Sequence, residues 1–292
     1  MKKIYLLILI LFLSSCATDN SSSKTNWRTG TQGIVMSYMS DNPPSEIVSK
    51  SKVNVMVKYS NKGATSTSPT FYLTGYDSSI LAFSGPSKSV GNIYGKDQYN
   101  PEGSQEGFVE WNTGINMASL EQVDSFKQSL SVTACYSYQT YATPSICIDP
   151  NKYEYIGPSR CDYDIKDLGD SQGAPIAITQ VKQKSAGDDI YLELHFANKG
   201  SGTPFVSGDC MKLGYDEVNI IKLSEVSISG KKFDCTPTDI RLISNSGFAV
   251  CSQTLANKDS SYDAIISIKL DYKYRESLPK KEITIVNVNK KK

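Results

Sequence analysis

The segment Lys52-Val53-Asn54-Val55-Met56-Val57-Lys58-Tyr59 carries the clearest structural signal in the sequence. Successive side chains of a β-strand point to opposite faces, so Val53, Val55 and Val57 share one face with Tyr59. The residues between them are more polar on average, which is typical of a strand with one buried face. This segment therefore predicts a β-strand that packs on a hydrophobic core.

The same alternation recurs along the chain, for example in Ile190–Phe196 and in Ala264–Leu270. Turn-forming segments separate these runs, including Asn61-Lys62-Gly63, Gly200-Ser201-Gly202 and Asn245-Ser246-Gly247. Many short strands with regular turn signals are typical of an all-β sandwich. We expect that fold class here.

The chain also contains an internal repeat. Three pairs of segments recur in the same order at nearly one spacing: Gly33–Met36 with Gly173–Ile176, Tyr59-Ser60-Asn61-Lys62-Gly63 with Phe196-Ala197-Asn198-Lys199-Gly200, and Tyr136-Ser137-Tyr138 with Tyr272-Lys273-Tyr274. Self-similarity at a fixed spacing indicates repeated structural units. The sequence therefore predicts two copies of one module.

Each copy has an opening strand, an alternating strand that ends in Asn-Lys-Gly, and a turn of small residues. This pattern resembles the CARDB-type module of prokaryotic surface proteins over Ile34–Leu73 and Ile176–Phe205. The long insertion Ile80–Gly107 and the cysteines depart from the compact module. The resemblance implies two tandem immunoglobulin-like β-sandwiches and a role in adhesion or contact, and it brings no catalytic residues.

The N-terminus has the layout of an export signal. Lys2 and Lys3 precede the apolar run Ile4–Leu13, whose length of about ten residues is too short for a membrane-spanning helix. The following Leu13-Ser14-Ser15-Cys16 resembles the lipobox of prokaryotic lipoproteins. The resemblance implies cleavage before Cys16 and lipidation of its sulfur, and two acyl chains give stable membrane attachment.

These features predict an extracytoplasmic lipoprotein anchored to a membrane through Cys16. Ala17 follows the cysteine, whereas an aspartate there often marks inner-membrane retention, so the outer membrane or cell surface is favoured. The predicted organisation is a signal peptide (1–15), a lipidated cysteine with a flexible tether (16–32), a first sandwich (33–155), an acidic linker (156–172) and a second sandwich (173–292).

The six other cysteines are even in number, which in an exported chain most simply indicates three disulfides. They are Cys135, Cys147, Cys161, Cys210, Cys235 and Cys251. Fifteen pairings are possible. Two predicted hairpins favour Cys135 with Cys147 and Cys235 with Cys251, which leaves Cys161 with Cys210. A zinc site is disfavoured because the chain has no Cys-x-x-Cys pair and a single histidine, His195.

Charge limits the classes of partner. The formal net charge is +1, so the chain lacks the electrostatic field that gathers nucleic acid. An acidic run between the predicted sandwiches contains Asp162, Asp164, Asp167 and Asp170. Its spacing does not match an EF-hand, so a solvated linker is the preferred interpretation and calcium binding is the weaker alternative.

Catalytic patterns are sparse. Neither a G-x-S-x-G elbow nor an H-E-x-x-H motif occurs. Glu106 and Glu110 lie near Trp111 and suggest the paired carboxylates of a glycosidase, but residues four apart on a strand simply share a face. We therefore expect no catalytic residues and no cofactor, with a hydrolase on a sandwich scaffold as the alternative.

Tyrosine is abundant, with eighteen residues. Aromatic side chains offer a large amphipathic contact area, so Tyr94, Tyr99 and Trp111, in or beside the long insertion, are the candidate surface for a protein or glycan partner. The alternative is that they pack the loop onto its own sandwich. The sequence thus predicts a non-enzymatic surface protein with a structural, adhesion or binding role. Self-association into a filament or layer through edge strands is a further alternative.

Overall fold

The computed structural model describes residues 26–118, 122–149, 161, 165–186, 189–254 and 261–288. Within these ranges every helix or strand assigned is a β-strand, so the predicted all-β sandwich class is confirmed. The signal peptide, Cys16, most of the predicted tether, Asp162 and Asp164 lie outside the described residues.

The strands are β1 (Ile34–Tyr38), β2 (Glu46–Val48), β3 (Lys52–Asn61), β4 (Thr70–Thr74), β5 (Ser87–Ser89), β6 (Gly107–Gly114), β7 (Ser125–Ala142), β8 (Ser145–Ile148), β9 (Ile165–Asp167), β10 (Ile176–Ala186), β11 (Asp189–Asn198), β12 (Thr203–Phe205), β13 (Ile220–Ile228), β14 (Lys231–Lys232), β15 (Asp234–Thr236), β16 (Asp239–Arg241), β17 (Ser246–Thr254), β18 (Tyr262–Ser277) and β19 (Lys281–Val286).

These strands form one large sheet and two smaller ones. The large sheet has the order β14-β13-β18-β7-β19-β2, and β4, β5, β8, β12 and β16 pair along its sides. The smaller sheets have the orders β1-β3-β6 and β15-β17-β11-β10-β9. The predicted strand Lys52–Tyr59 is thus part of β3, at the centre of the first small sheet.

Both small sheets cover the same face of the large sheet. Tyr136 on β7 and Tyr272 on β18 share one face of the β7–β18 ladder, as the register of that ladder shows. The Ile34 amide of the first small sheet donates to Tyr136 Oη (3.2 Å), and the Ile176 amide of the second donates to Tyr272 Oη (3.4 Å). The core therefore lies between one broad layer and two narrower ones.

Apolar side chains fill this core from both layers. Val53, Val55 and Val57 on β3 are fully buried, and Leu192 and Leu194 on β11 are their counterparts in the second small sheet. Full burial of each such side chain contributes about 1.5–3 kcal/mol, which makes the alternating strands the main source of stability. The face assignment predicted from the alternation of β3 is correct.

The two repeats meet in the β7–β18 ladder. The ladder is antiparallel and runs over ten residue pairs, from Ile268 opposite Ala142 to Ser277 opposite Thr133. Strand β8 follows β7 in the chain yet pairs with β18, and β19 follows β18 yet pairs with β7. The repeats therefore share one sheet and exchange their last strands, so the predicted arrangement of two tandem sandwiches is not confirmed.

The repeated residues take equivalent places in the two halves. Tyr138 Oη donates to Asn61 Oδ1 (3.3 Å), and Tyr274 Oη donates to Asn198 Oδ1 (3.0 Å). Each asparagine also caps its own turn, with Asn61 Nδ2 donating to the Thr65 carbonyl (2.8 Å) and Asn198 Nδ2 to the Gly202 carbonyl (2.9 Å). The Asn-Lys-Gly motif thus joins a turn to the tyrosine of the large sheet.

The glycine of this motif is required by close packing. A Cβ atom at Gly63 would collide with Tyr138 Oη, and one at Gly200 would collide with Tyr274 Oη. Any larger residue would therefore separate the turn from the tyrosine that it contacts. This explains why both copies carry glycine two residues after the asparagine.

The disulfides join Cys135 to Cys210, Cys147 to Cys161 and Cys235 to Cys251. The Cys235–Cys251 prediction is confirmed, whereas the predicted pairs Cys135–Cys147 and Cys161–Cys210 are wrong. Those two pairs assumed that β7 and β8 form a hairpin, but β8 pairs with β18 and carries Cys147 away from β7.

Three disulfides indicate an oxidising, extracytoplasmic environment. In the part of the chain that the structure describes, no helix has the length and hydrophobicity needed to cross a membrane.

Candidate functional site

A groove opens on the outer face of the large sheet, where the two repeats meet. Ser137, Gln139, Asp271 and Lys273 form its floor, and its volume is about 450 Å³. Their neighbours Tyr138 and Tyr272 point into the core, so strand alternation directs these four side chains outward. The register places Ser137 opposite Lys273 and Gln139 opposite Asp271. We call this feature the central groove.

Hydrogen bonds fix the polar floor of the central groove. Gln139 Nε2 donates to Asp271 Oδ1 (2.6 Å), and Tyr141 Oη donates to Gln139 Oε1 (2.6 Å). Lys269 Nζ lies 3.6 Å from Asp271 Oδ1 and compensates its charge. Because both Gln139 and Asp271 have partners, this part of the floor is held in one arrangement before a ligand arrives.

One wall is the turn that follows β3. Thr65 Oγ1 donates to the Gln139 carbonyl (2.9 Å), and Thr67 Oγ1 donates to the Ser137 carbonyl (2.7 Å). The Thr65 amide donates to Tyr138 Oη (3.2 Å), so the wall is tied to the core as well. The repeated Asn-Lys-Gly turn therefore positions this side of the site.

On the other side, Val206 lines the groove, and Lys222 on β13 extends the floor because it lies opposite Asp271 in the β13–β18 ladder. Lys222 and Lys273 are exposed, and Lys273 Nζ lies 5.8 Å from the centroid of the Phe205 ring. With Asp271 paired to Lys269, these two lysines leave the groove with a positive charge. Lysines beside hydroxyl and amide groups favour a polar ligand with negative charges.

The three residues of the predicted aromatic contact surface differ in their exposure. Tyr94 and Tyr99 are 71% and 88% exposed, but Trp111 is 1% exposed and packs in the core. The choice of Trp111 as a contact residue is therefore wrong. Trp111 alternates with Glu110 on β6, so it lies on the inward face beside Val109, and Leu81 and Phe83 pack the insertion onto the sandwich.

Glu106 and Glu110, the carboxylates considered for a hydrolase, each have a separate partner. Glu106 forms an ion pair with Lys58 (2.8 Å), and Glu110 accepts a hydrogen bond from Asn112 Nδ2 (2.8 Å). Both interactions are at the surface, where ion pairs contribute little stability. The structure brings neither carboxylate into the central groove.

His195 lies on the outer face of β11 beside Glu193. Its Nε2 is 2.6 Å from Glu193 Oε1, and Lys182 Nζ is 3.2 Å from the same oxygen. The hydrogen bond from His195 is the main reason why the pKa of Glu193 is lowered, with Lys182 adding to it. The ring of His195 also stacks on Phe248, with centroids 6.1 Å apart.

The structure describes two of the four aspartates considered as calcium ligands, Asp167 and Asp170. Asp167 accepts a hydrogen bond from the Gly169 amide (2.8 Å), and Asp170 forms an ion pair with Lys199 (2.9 Å). No cluster of three or more metal-ligating side chains occurs among the described residues. Asp162 and Asp164 lie outside them, so the calcium hypothesis stays untested.

The groove residues Gln139, Lys222, Asp271 and Lys273 were not found by the sequence reasoning. A signal existed for three of them, because Gln139, Asp271 and Lys273 adjoin the repeated tyrosines and alternate with buried residues. The sequence did not show that the two tyrosine strands pair with each other.

No family model matches the chain, and no curated protein matches it. Among solved structures the chain resembles the YadV chaperone, with 10% identity and a TM-score of 0.21, covering 85% of this chain and 100% of that one. It also resembles the secreted serine protease VesC from Vibrio cholerae, with 7% identity and a TM-score of 0.20, covering 85% and 51%. A third likeness is to E. coli alpha-2-macroglobulin, with 11% identity and a TM-score of 0.15, covering 88% and 16%. Likenesses this distant carry no argument about function.

Proposed function

We propose that this chain is a lipid-anchored, extracytoplasmic surface protein that binds an acidic glycan in the central groove and is not an enzyme. The observation that carries the proposal is the polar, lysine-bearing floor at the junction of the repeats. Its volume of about 450 Å³ lies within the usual range of ligand sites. Hydroxyl and amide groups suit sugar hydroxyls, and Lys222 and Lys273 suit carboxylates.

The lipobox-like segment Leu13–Cys16 supports the membrane anchor, and the disulfides support export. We expect wild-type protein to incorporate a labelled fatty acid and to sediment with membranes. A Cys16→Ser variant should lose both properties, because the thiol is the point of acylation. Lipid labelling that persists in this variant would contradict the anchor assignment.

The binding role is tested with the Cys16→Ser chain and oligosaccharides of uronic acids. The double variant Lys222→Ala/Lys273→Ala should weaken binding at least tenfold in calorimetry, because each lost charge-assisted contact costs about 1.5–3 kcal/mol. Binding should also weaken with added salt.

Lys231→Ala/Lys232→Ala is the matched control, since both lysines are exposed and lie outside the groove. This variant also removes two positive charges and should bind like the parent. Neutral oligosaccharides of the same length should bind more weakly. Equal affinity of the parent and the double variant would overturn the assignment of the groove.

A further inference from the structure

Strand β1 lies at the open edge of the first small sheet, where it pairs with β3 alone. At the two ends of this pair, the Lys62 amide donates to the Gly33 carbonyl and the Met39 amide donates to the Met56 carbonyl. These bonds show which residues of β1 are hydrogen-bonded to β3. In an antiparallel pair the hydrogen-bonded positions alternate. The backbone groups of Met36 and Tyr38 are therefore directed away from β3, toward the open edge.

The equivalent edge in the second repeat is covered. Strand β10 corresponds to β1, and its other side pairs antiparallel with β9, including Gln180 opposite Asp167. The side chain of Gln172 completes the cover, because Nε2 donates to the Ile178 carbonyl (3.1 Å) and Oε1 accepts from the Ile178 amide (2.9 Å). Ile178 corresponds to Met36, since each follows its opening isoleucine by two residues.

The described chain before β1 does not provide this cover. The Gly30 amide donates to Ser171 Oγ (2.6 Å), and the Gly173 amide donates to the Gly30 carbonyl (2.9 Å). Lys96 Nζ donates to the Thr29 carbonyl (3.1 Å). Thr29 and Gly30 are thus held against Lys96 and the second repeat. In the second repeat, by contrast, β9 with Asp167 pairs along the edge of β10.

A cleft of about 450 Å³ follows the open edge of β1. Gln32–Met36 form one side, and Glu276, Leu278 and Pro279 lie on the other. Lys199, the cation of this cleft, is paired with Asp170 at 2.9 Å. Glu276 accepts a hydrogen bond from the neutral hydroxyl of Ser201, and burial raises the pKa of its carboxyl. Lys199 is thus paired elsewhere, and a basic side chain entering the cleft would compensate the charge of Glu276.

We propose that the open edge of β1 docks an extended segment of a partner protein, which adds to the sheet as an antiparallel strand and places a basic side chain beside Glu276. Strand addition gains affinity from main-chain hydrogen bonds and specificity from side-chain pockets. The second repeat supplies the same kind of strand from within the chain. This site is separate from the central groove, so each assignment stands or fails alone.

The test uses the Cys16→Ser chain and an acetylated, amidated Thr-Val-Lys-Val-Thr-Val peptide as the probe. Hydrogen exchange of the Met36 and Tyr38 amides should be fast in the free chain and at least tenfold slower with the peptide. Two peptides N-methylated at opposite sets of alternate residues provide the control, because only the one whose methyl groups face β1 is unable to donate to it and should bind at least tenfold more weakly. Binding of both methylated peptides with the parent affinity would overturn strand addition.

Two variants separate the backbone contact from the charge contact. Met36→Pro removes the amide that faces the edge and should reduce peptide affinity at least tenfold. Glu276→Gln should retain binding but lose the preference for the lysine peptide over one with glutamate in its place. Lys222→Ala/Lys273→Ala should leave peptide binding unchanged, whatever its effect on the glycan.

Two other occupants would overturn the proposal. If the Met36 and Tyr38 amides are already protected in the dilute peptide-free chain, the protein's own N-terminal segment covers the edge. If their protection rises with protein concentration, a second copy covers it. Unchanged peptide affinity in the Met36→Pro variant, with its fold confirmed by circular dichroism, would also contradict docking at β1.

Discussion

Above pH 10 the protein is expected to lose stability steeply and to unfold over a narrow pH range. The cause is the group of core tyrosines Tyr136, Tyr138, Tyr272 and Tyr274, which join the two repeats. Burial raises the pKa of each phenol above its ordinary value of 10. Burial also raises the pKa of Tyr38 to about 12, and a backbone hydrogen bond partly offsets this rise.

The sign follows from proton linkage. Above pH 10 the phenols ionise in the unfolded chain while the folded chain retains their protons, so rising pH favours unfolding. Each fully shifted group contributes about 1.4 kcal/mol per pH unit, or about 5 kcal/mol per unit for the four core tyrosines. Domains have a total stability of about 5–15 kcal/mol, so unfolding should be complete within a few pH units. Below pH 10 these groups should cause no pH dependence.

Tyrosinate absorbance and circular dichroism followed together provide the measurement. The core tyrosines should ionise together with unfolding, so the two signals should change over the same pH range. Tyr272→Phe should reduce the pH slope of stability by about one quarter, even though it also lowers stability at neutral pH. Ionisation of every tyrosine in a chain that keeps its sheet signal would contradict this account.

Replacing Asn61 with alanine is expected to cost about 3–5 kcal/mol of unfolding free energy. Asn61 is fully buried, and its Nδ2 donates to the carbonyls of Thr65 (2.8 Å) and Ile93 (3.3 Å). Its Oδ1 accepts from the Gly63 amide (3.1 Å) and from Tyr138 Oη (3.3 Å). Alanine removes the hydrogen-bond partner of these groups, and each buried group left unsatisfied costs about 1–3 kcal/mol.

Urea unfolding measures this loss. Asn198→Ala should show a smaller effect, because Asn198 is 9% exposed and makes fewer of these bonds, to Gly200, Gly202 and Tyr274. Asn112→Ala is the surface control and should change stability by less than about 0.5 kcal/mol. A loss below 1 kcal/mol for Asn61→Ala, or an equal loss for Asn112→Ala, would show that the buried amide is not a structural link.

The strands and their faces were largely predictable because the signal is local. Alternation in Lys52–Tyr59 and Ile190–Phe196 indicates which side chains share a face, and the structure buries those side chains except Tyr59, which is half-buried. The same rule applied to β6 would have placed Trp111 inside with Val109. The aromatic side chain of Trp111 suggested a contact residue, but its position in the alternation indicates the buried face.

The partner of each strand was not predictable in this way. Period-two alternation is equally compatible with β8 pairing with β7 or with β18, and the structure selects β18. With β8 beside β18, Cys147 forms its disulfide with Cys161 and Cys135 forms its disulfide with Cys210. Both incorrect disulfide predictions therefore have one cause. The central groove has the same origin, because Gln139 and Asp271 meet through the β7–β18 register.

Local sequence patterns specify the all-β class, the buried face of the principal strands, the repeated Asn-Lys-Gly turn and an even set of cysteines suited to disulfides. These features depend on residues close in the chain, whose geometry is set by backbone alternation and turn chemistry. The exchange of β8 and β19, the cysteine pairs, the central groove and the open edge of β1 are fixed only when the whole chain has folded. These depend on contacts between distant strands, whose energies come from the packing of the whole core and leave no local pattern.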